Sequence, residues 1–344
     1  MSARPRRRAG ALLCVLAVLA ALTGALTATA TPARADTAEW SVAPRATDAG
    51  ERPNYGFVLD PGAVVEDALV VTNLGATPLS LGLYAADGFT TETGQLDVLP
   101  TGTASTDLGS WVQLSATTLD LAPGDRVEVP FTLSVPADAA AGDHSGAVVT
   151  SLVTGAGSTG VTLDRRLGVR IHTLVSGDLT AGMEISDLTV DYQPSLVPFG
   201  NGSAVVAFTL TNTGNTRVSA AQVVRVSGPF GLGTRTLTTQ TPDLLAGAAI
   251  PVSVPVPDVP TLGRLTAEVA LAPAAVGASG VPAEPVVAST PATAVGWTTL
   301  GLLLAVVLGA AAWWAWHRRR RRPLPAVPNP SPVPVAASTG ETRP

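Results

Sequence analysis

Cysteine, lysine and histidine are the scarce residues of this chain. Its 344 residues include one cysteine, Cys14, and 3 histidines, and all 21 basic residues are arginine. Cys14 falls in an N-terminal segment with the pattern of an export signal. Arg4, Arg6, Arg7 and Arg8 form a basic region, residues 11–30 are apolar apart from three threonines, and Ala33-Arg34-Ala35 fits a small-x-small cleavage site. Removing residues 1–35 as a signal peptide leaves no thiol, so burial and not disulfides must hold the mature domains together. Catalytic signatures are missing too. There is no Gly-x-Ser-x-Gly, no His-Glu-x-x-His, no phosphate loop and no glycine-rich dinucleotide turn after a strand. Between residues 36 and 296 the only histidines are His144 and His172. The expectation is a protein that is not an enzyme and carries no cofactor and no metal.

Positive charge is also thin where a nucleic acid would need it. Residues 36–296 keep 10 arginines against 25 acids, a net of −15 with histidine neutral. A surface of that sign excludes nucleic acid as a partner, because tracking a phosphate backbone takes clustered cations.

Turn and strand grammar is what the chain has in quantity. The stretch Leu119–Ser151 opens on the Pro123-Gly124 turn and then alternates with period two. Val127, Val129, Phe131, Leu133 and Val135 fall on one face; Arg126, Glu128, Thr132 and Ser134 fall on the other. Pro130 lacks a ladder donor, which places this strand at an edge or a bulge. The pattern returns downstream. Val129–Pro136 aligns without a gap with Ile250–Pro257, and Ala68–Gly75 with Ala207–Gly214. A repeat this long is a domain and not a solenoid turn. The sequence therefore predicts an all-β protein of two tandem immunoglobulin-like β-sandwich domains, over 36–178 and 179–273.

Residues 274–295 are mostly Ala, Pro, Val, Ser, Gly and Thr with one charge, which predicts a Pro/Ala-rich stalk. A transmembrane helix follows over 296–316. Trp297–Trp316 is an uncharged 20-residue run, about 30 Å as a helix, with tryptophans near both ends. His317 and Arg318–Arg322 come next, and such a cluster marks a cytoplasmic end. The remainder, 317–344, is a basic, proline-rich tail. The expected topology is single-pass type I, with the N-terminal ectodomain outside the cell membrane.

Three stretches invite a chemical reading. Gly142-Asp143-His144-Ser145-Gly146 sets Asp, His and Ser side by side, but triads assemble from separated positions, so this reads as a polar turn entering a strand. Asp87–Asp97 could suggest a calcium loop; it lacks the alternating ligands of an EF-hand and reads as a hairpin. In Arg165–Thr173, strand alternation places Arg166, Gly168, Arg170 and His172 on one side. Arg166, Arg170 and His172 are the candidate ligand-binding residues, able to grip carboxylates or phosphates of a wall polymer; the alternative is a solvated face paired to neighbouring acids.

Taken in order, several of these features resemble the peptidoglycan-binding domain of the WxL-interacting proteins of Gram-positive bacteria. They are Pro61-Gly62, the Thr72-Asn73 turn, the Thr90–Gly94 loop, Trp111, Leu121–Gly124, Val135–Asp138 followed by Gly142, and the closing Arg166–Arg170 strand. In the second domain Leu244–Gly247 stands in for a Pro-Gly turn. The resemblance implies attachment to peptidoglycan or another wall polymer through the first domain, and to a WxL-type surface protein or host ligand through the second. The chain has no Trp-x-Leu of its own, so it would be the interacting member. A surface chaperone or adhesin-assembly factor of the same fold, acting by strand addition to an unpaired edge, is the alternative.

Overall fold

A computed structural model describes residues 38–48, 50–155 and 162–320; the expected signal peptide and most of the tail lie outside them. The described residues form two immunoglobulin-like β-sandwiches and one C-terminal apolar helix.

The first sandwich begins with β1 (Trp40–Pro44), β2 (Tyr55–Leu59), β3 (Val64–Asn73), β4 (Leu79–Thr90) and β5 (Leu96–Val98). A single helical turn, α1 (Leu108–Trp111), leads into β6 (Val112–Leu114) and β7 (Thr118–Leu121). It closes with β8 (Arg126–Ser134), β9 (Gly142–Thr154) and β10 (Leu163–Val175). One sheet has the order β1-β3-β8-β6; the other runs β2-β10-β9-β4-β5, with β7 also pairing β4. The N-terminal segment divides between the sheets, because β1 pairs antiparallel to β3 while β2 runs parallel to β10.

Alternation explains β8: Val129, Phe131 and Leu133 are buried while Arg126, Glu128 and Pro130 are exposed. The strand is interior, not an edge, yet Pro130 costs it no bond. Its carbonyl accepts from the Ser115 N–H, and β6 ends in register at Leu114 opposite Phe131. The missing donor thus faces the side where the ladder has stopped. Between the sheets, the Tyr55 ring meets Phe131 edge-on at 5.1 Å, and Trp40 Nε1 donates to Thr150 Oγ1 at 2.8 Å. Tyr55 is fully buried, its hydroxyl donates to the Ala68 carbonyl, and burial pushes its pKa up.

The second sandwich comprises β11 (Met183–Gln193), β12 (Gly202–Asn212), β13 (Val218–Ser227), β14 (Arg235–Gln240), β15 (Ala249–Val259), β16 (Gly263–Ala275) and β17 (Val286–Ala294). Its sheets are β11-β12-β15 and β14-β13-β16-β17. Buried and half-buried residues alternate strictly along most of β12.

The repeat seen in the sequence is a repeat of hydrogen bonds. Asn73 Nδ2 donates to the carbonyls of Thr77, Leu121 and Ala122, and its Oδ1 accepts from the Gly75 N–H. Asn212 does the same with Thr216, Leu244 and Leu245, and with the Gly214 N–H. Both side chains are 1% exposed, so these bonds are what makes burying an amide affordable.

The structure corrects the stalk expected over 274–295. Val286–Ala294 is a strand, paired antiparallel with β16 from Gly263↔Ala294 to Leu271↔Val286, and Ala294 is fully buried. Its small, proline-containing sequence gave no strand signal because what holds it is the backbone edge of β16. Residues 297–320 form α2 (Trp297–Arg320), a helix long and apolar enough to cross a membrane, with no buried residue.

Candidate functional site

β10 positions the expected cations. Val169 and Ile171 point into the first core, which turns Arg166, Gly168, Arg170 and His172 to the outer face of the sheet. On β9 their cross-strand partners are Ser151, Val149, Ala147 and Ser145. A groove of ≈ 380 Å³ lies over this face. Ala147 and Val149 form its floor, β5 forms a wall, and Arg166 and Arg170 flank the opening left at Gly168. A Cβ on Gly168 would stand 3.0 Å from the Val148 carbonyl oxygen and 3.2 Å from Val149 Cγ2. The glycine therefore keeps the strands closely packed and the slot between the arginines open.

The two arginines differ in their surroundings. Arg166 Nε is 3.8 Å from Asp164 Oδ2, and Asp164 also accepts from Ser151 Oγ at 2.5 Å. Nearness of the Tyr84 hydroxyl raises the Arg166 pKa most, against some desolvation, with Asp164 and Asp97 adding to the rise. That hydroxyl is buried without a partner in good hydrogen-bond geometry, so its effect on Arg166 is one of proximity, not of a formed bond. Arg170 is exposed and lines the same groove. His172 does not line it: its Nδ1 lies 2.9 Å from Ser145 Oγ, further along the sheet. The structure thus brings Arg166 and Arg170 together and leaves His172 outside.

The backbone of β10 presents a second feature. β2 covers only Ile171–Val175, so among the described residues Leu163–Arg170 has no strand on the side away from β9. Leu163 and Leu167, on the inward-facing set of positions, are 56% and 40% exposed. Arg165, between them, instead lies over the Trp40 ring at 5.5 Å and donates to the Ala38 carbonyl. Alternation along the strand reveals the cationic face, but no sequence signal shows that β2 stops short of it.

The Asp-His-Ser run assembles no triad. His144 Nδ1 is 2.6 Å from Asp107 Oδ1, and its Nε2 is 2.9 Å from the Ala140 carbonyl, so neither nitrogen is left to take a proton from a serine. Ser145 is buried and bonded to the other histidine. Burial alone would lower the His144 pKa, but the Asp107 contact and the Ala140 carbonyl outweigh it and leave the value raised. Asp87, the first acid of the imagined calcium loop, is spent on backbone: it accepts from the N–H groups of Thr106, Asp107 and Gly109. The loop is the turn of the antiparallel β4–β5 hairpin.

No protein-family model matches the chain, and no curated protein matches it. Solved structures do. One, described as a chaperone–tip adhesin complex of CFA/I fimbriae, is 9% identical with a TM-score of 0.36, over 74% of this chain and 99% of that one. The class 5 fimbrial chaperone CfaA is similar at 9% identity and a TM-score of 0.33, over 73% and 99%. The CsuC–CsuE pre-assembly complex of Acinetobacter baumannii is similar at 10% identity and a TM-score of 0.32, over 63% and 91%.

Proposed function

We infer that this is a non-enzymatic, membrane-anchored surface protein whose first sandwich holds an extended segment of a partner protein along β10. The observation that carries this is the backbone edge at Leu163–Arg170, which no strand among the described residues covers. A strand added there pairs through main-chain hydrogen bonds, and its side chains alternate between the two faces. Opposite Leu163, Leu167 and Val169 it would present apolar residues; opposite Arg166 and Arg170, acidic ones. The preferred ligand is therefore an extended segment alternating apolar and acidic side chains. Holding such a segment is the work of a surface chaperone or assembly factor. The apolar helix α2 supplies the anchor, with the sandwiches outside and the arginines after Trp316 inside.

A photo-crosslinking residue at Leu167, in the full chain in its own membrane, should capture a protein, while one at exposed Asp120 on β7 should not. Equal capture at both sites would sink the edge reading. Replacing both Arg166 and Arg170 with Gln should weaken an alternating acidic peptide by roughly two- to thirtyfold, from about 0.2–1 kcal/mol per exposed contact, and less in high salt.

The groove itself favours a second reading, the wall attachment that the WxL-interacting resemblance implies. Guanidinium groups on either side of the Gly168 slot suit the carboxylates of peptidoglycan stem peptides. The two readings separate on one variant. Leu163→Lys should abolish capture through residue 167 if a partner strand is the ligand, and should leave binding to purified sacculi intact if the wall is.

A further inference from the structure

Three loops meet at one end of the second sandwich. Residues 194–201 join β11 to β12, residues 228–234 join β13 to β14, and residues 260–262 join β15 to β16. Thr261 Oγ1 donates to the Gly200 carbonyl and lies 2.7 Å from the Tyr192 hydroxyl, which ties the first and third loops. The second packs on the third so closely that a Cβ on Gly228 would collide with Leu262, and one on Gly233 with Pro260. The first turn of α2 is fastened to the same place. Thr298 Oγ1 donates to the Ser195 carbonyl at 3.1 Å, and the Phe199 N–H donates to Thr299 Oγ1 at 2.9 Å.

This end has an unusual surface. Leu196, Phe199 and Phe230 are 89%, 69% and 102% exposed, and Val197, Leu232 and Leu262 are exposed beside them. Phe199 and Phe230 both hold left-handed backbone, at φ 60 and φ 58, a conformation that bulky residues rarely adopt. Two of the chain's six phenylalanines are thus turned outward at some conformational cost. None of the three loops contains a charged residue, although residues 36–296 carry a net charge of −15. Arg235 directly follows the second loop, and Arg264 comes two residues after the third.

We propose that this end of the second sandwich is a bilayer-docking surface, its apolar loop tips seated among lipid headgroups and upper acyl chains. The proposal rests on α2 crossing the membrane, and continuity with α2 is what selects lipid as the occupant. The helix leaves this surface at Trp297, an interfacial residue type, so the loops hydrogen-bonded to its first turn stand at the depth where it enters the bilayer. Uncharged loops with large apolar side chains suit that zone. Arginines at their bases can reach anionic phosphates while their stems stay with the apolar residues. The sandwich would be held against the membrane at four points, not swung from one flexible joint.

The test uses the full chain with Cys14→Ser as background, so that every introduced thiol is unique, reconstituted into vesicles of phosphatidylcholine and phosphatidylglycerol. Nitroxide labels are placed through Leu196→Cys, Leu232→Cys, Leu304→Cys in α2, and Ala246→Cys. Ala246 follows Leu244, which bridges Val218 at the other end of β13, roughly 30 Å away for a ten-residue strand. Each label is read for preferential relaxation by oxygen, which concentrates in lipid, or by a nickel chelate, which stays in water. Labels at 196, 232 and 304 should prefer oxygen, with the preference reversed at 246. If 304 prefers oxygen while 196 and 232 behave like 246, or are shielded from both reagents, α2 spans but the loops do not dock on lipid. If 304 itself prefers nickel, the spanning reading falls and this proposal falls with it.

Discussion

His144 shows how one side chain couples the first sandwich to pH. Both ring nitrogens face acceptors, Asp107 and the Ala140 carbonyl, and the ring lies 4.6 Å from that of Trp111. Only the doubly protonated ring can donate both bonds, so the folded state favours the imidazolium and the pKa stands above its ordinary 6.5. A raised pKa means that the folded protein holds the proton more tightly than the unfolded chain. The stabilisation is therefore complete below pH 6.5 and is lost as pH rises through the folded value. Melting of the first sandwich should move to lower temperature as pH rises above 6.5, and His144→Gln should flatten that slope. If the slope persists in the variant, some other group carries the linkage.

At the scale of elements, β17 decides where the second sandwich ends. It covers β16 along nine register pairs and contributes buried Ala294 and half-buried Val286 and Ala292 to the core. A chain stopped after Pro273 exposes that edge; one stopped after Gly296 keeps it. Losing even four ladder bonds at about 1 kcal/mol each removes much of a domain's typical 5–15 kcal/mol. The longer fragment should melt with the second sandwich intact, and the shorter should lose that transition. Equal melting of the two would make β17 ornamental. The miss has a physical cause. Strands such as β8 and β12 were legible because one wet and one buried face print period two on the sequence. β9 is buried along most of its length, so no alternation marks it in the sequence. β17 has little apolar bulk and includes Pro291, so its strand state resides in pairing that no local pattern records. The site divides in the same way. The shared face of Arg166 and Arg170 followed from alternation, while the β5 wall and the reach of β2 depend on residues distant in sequence.

For the whole molecule, the distribution of charge and the apolar helix α2 together predict an orientation. The described sandwiches belong to a segment with net charge −15, and the last turn of α2 carries His317 and Arg318–Arg320, with Arg321 and Arg322 next in the sequence. Arginine clusters beside a membrane helix are retained on the cytoplasmic side, whereas acidic domains cross largely regardless of charge. Both sandwiches should then lie outside, where the β10 edge and the groove can meet a surface partner, and where domains without cysteine have no disulfide to form. Protease added to wall-stripped intact cells should digest the sandwiches and spare an epitope attached after Pro344. Full-length protein that survives in intact cells, together with loss of the epitope, would invert the orientation. It would also remove the surface role from the first sandwich, because a cytoplasmic β10 edge could meet neither a wall polymer nor an exported partner.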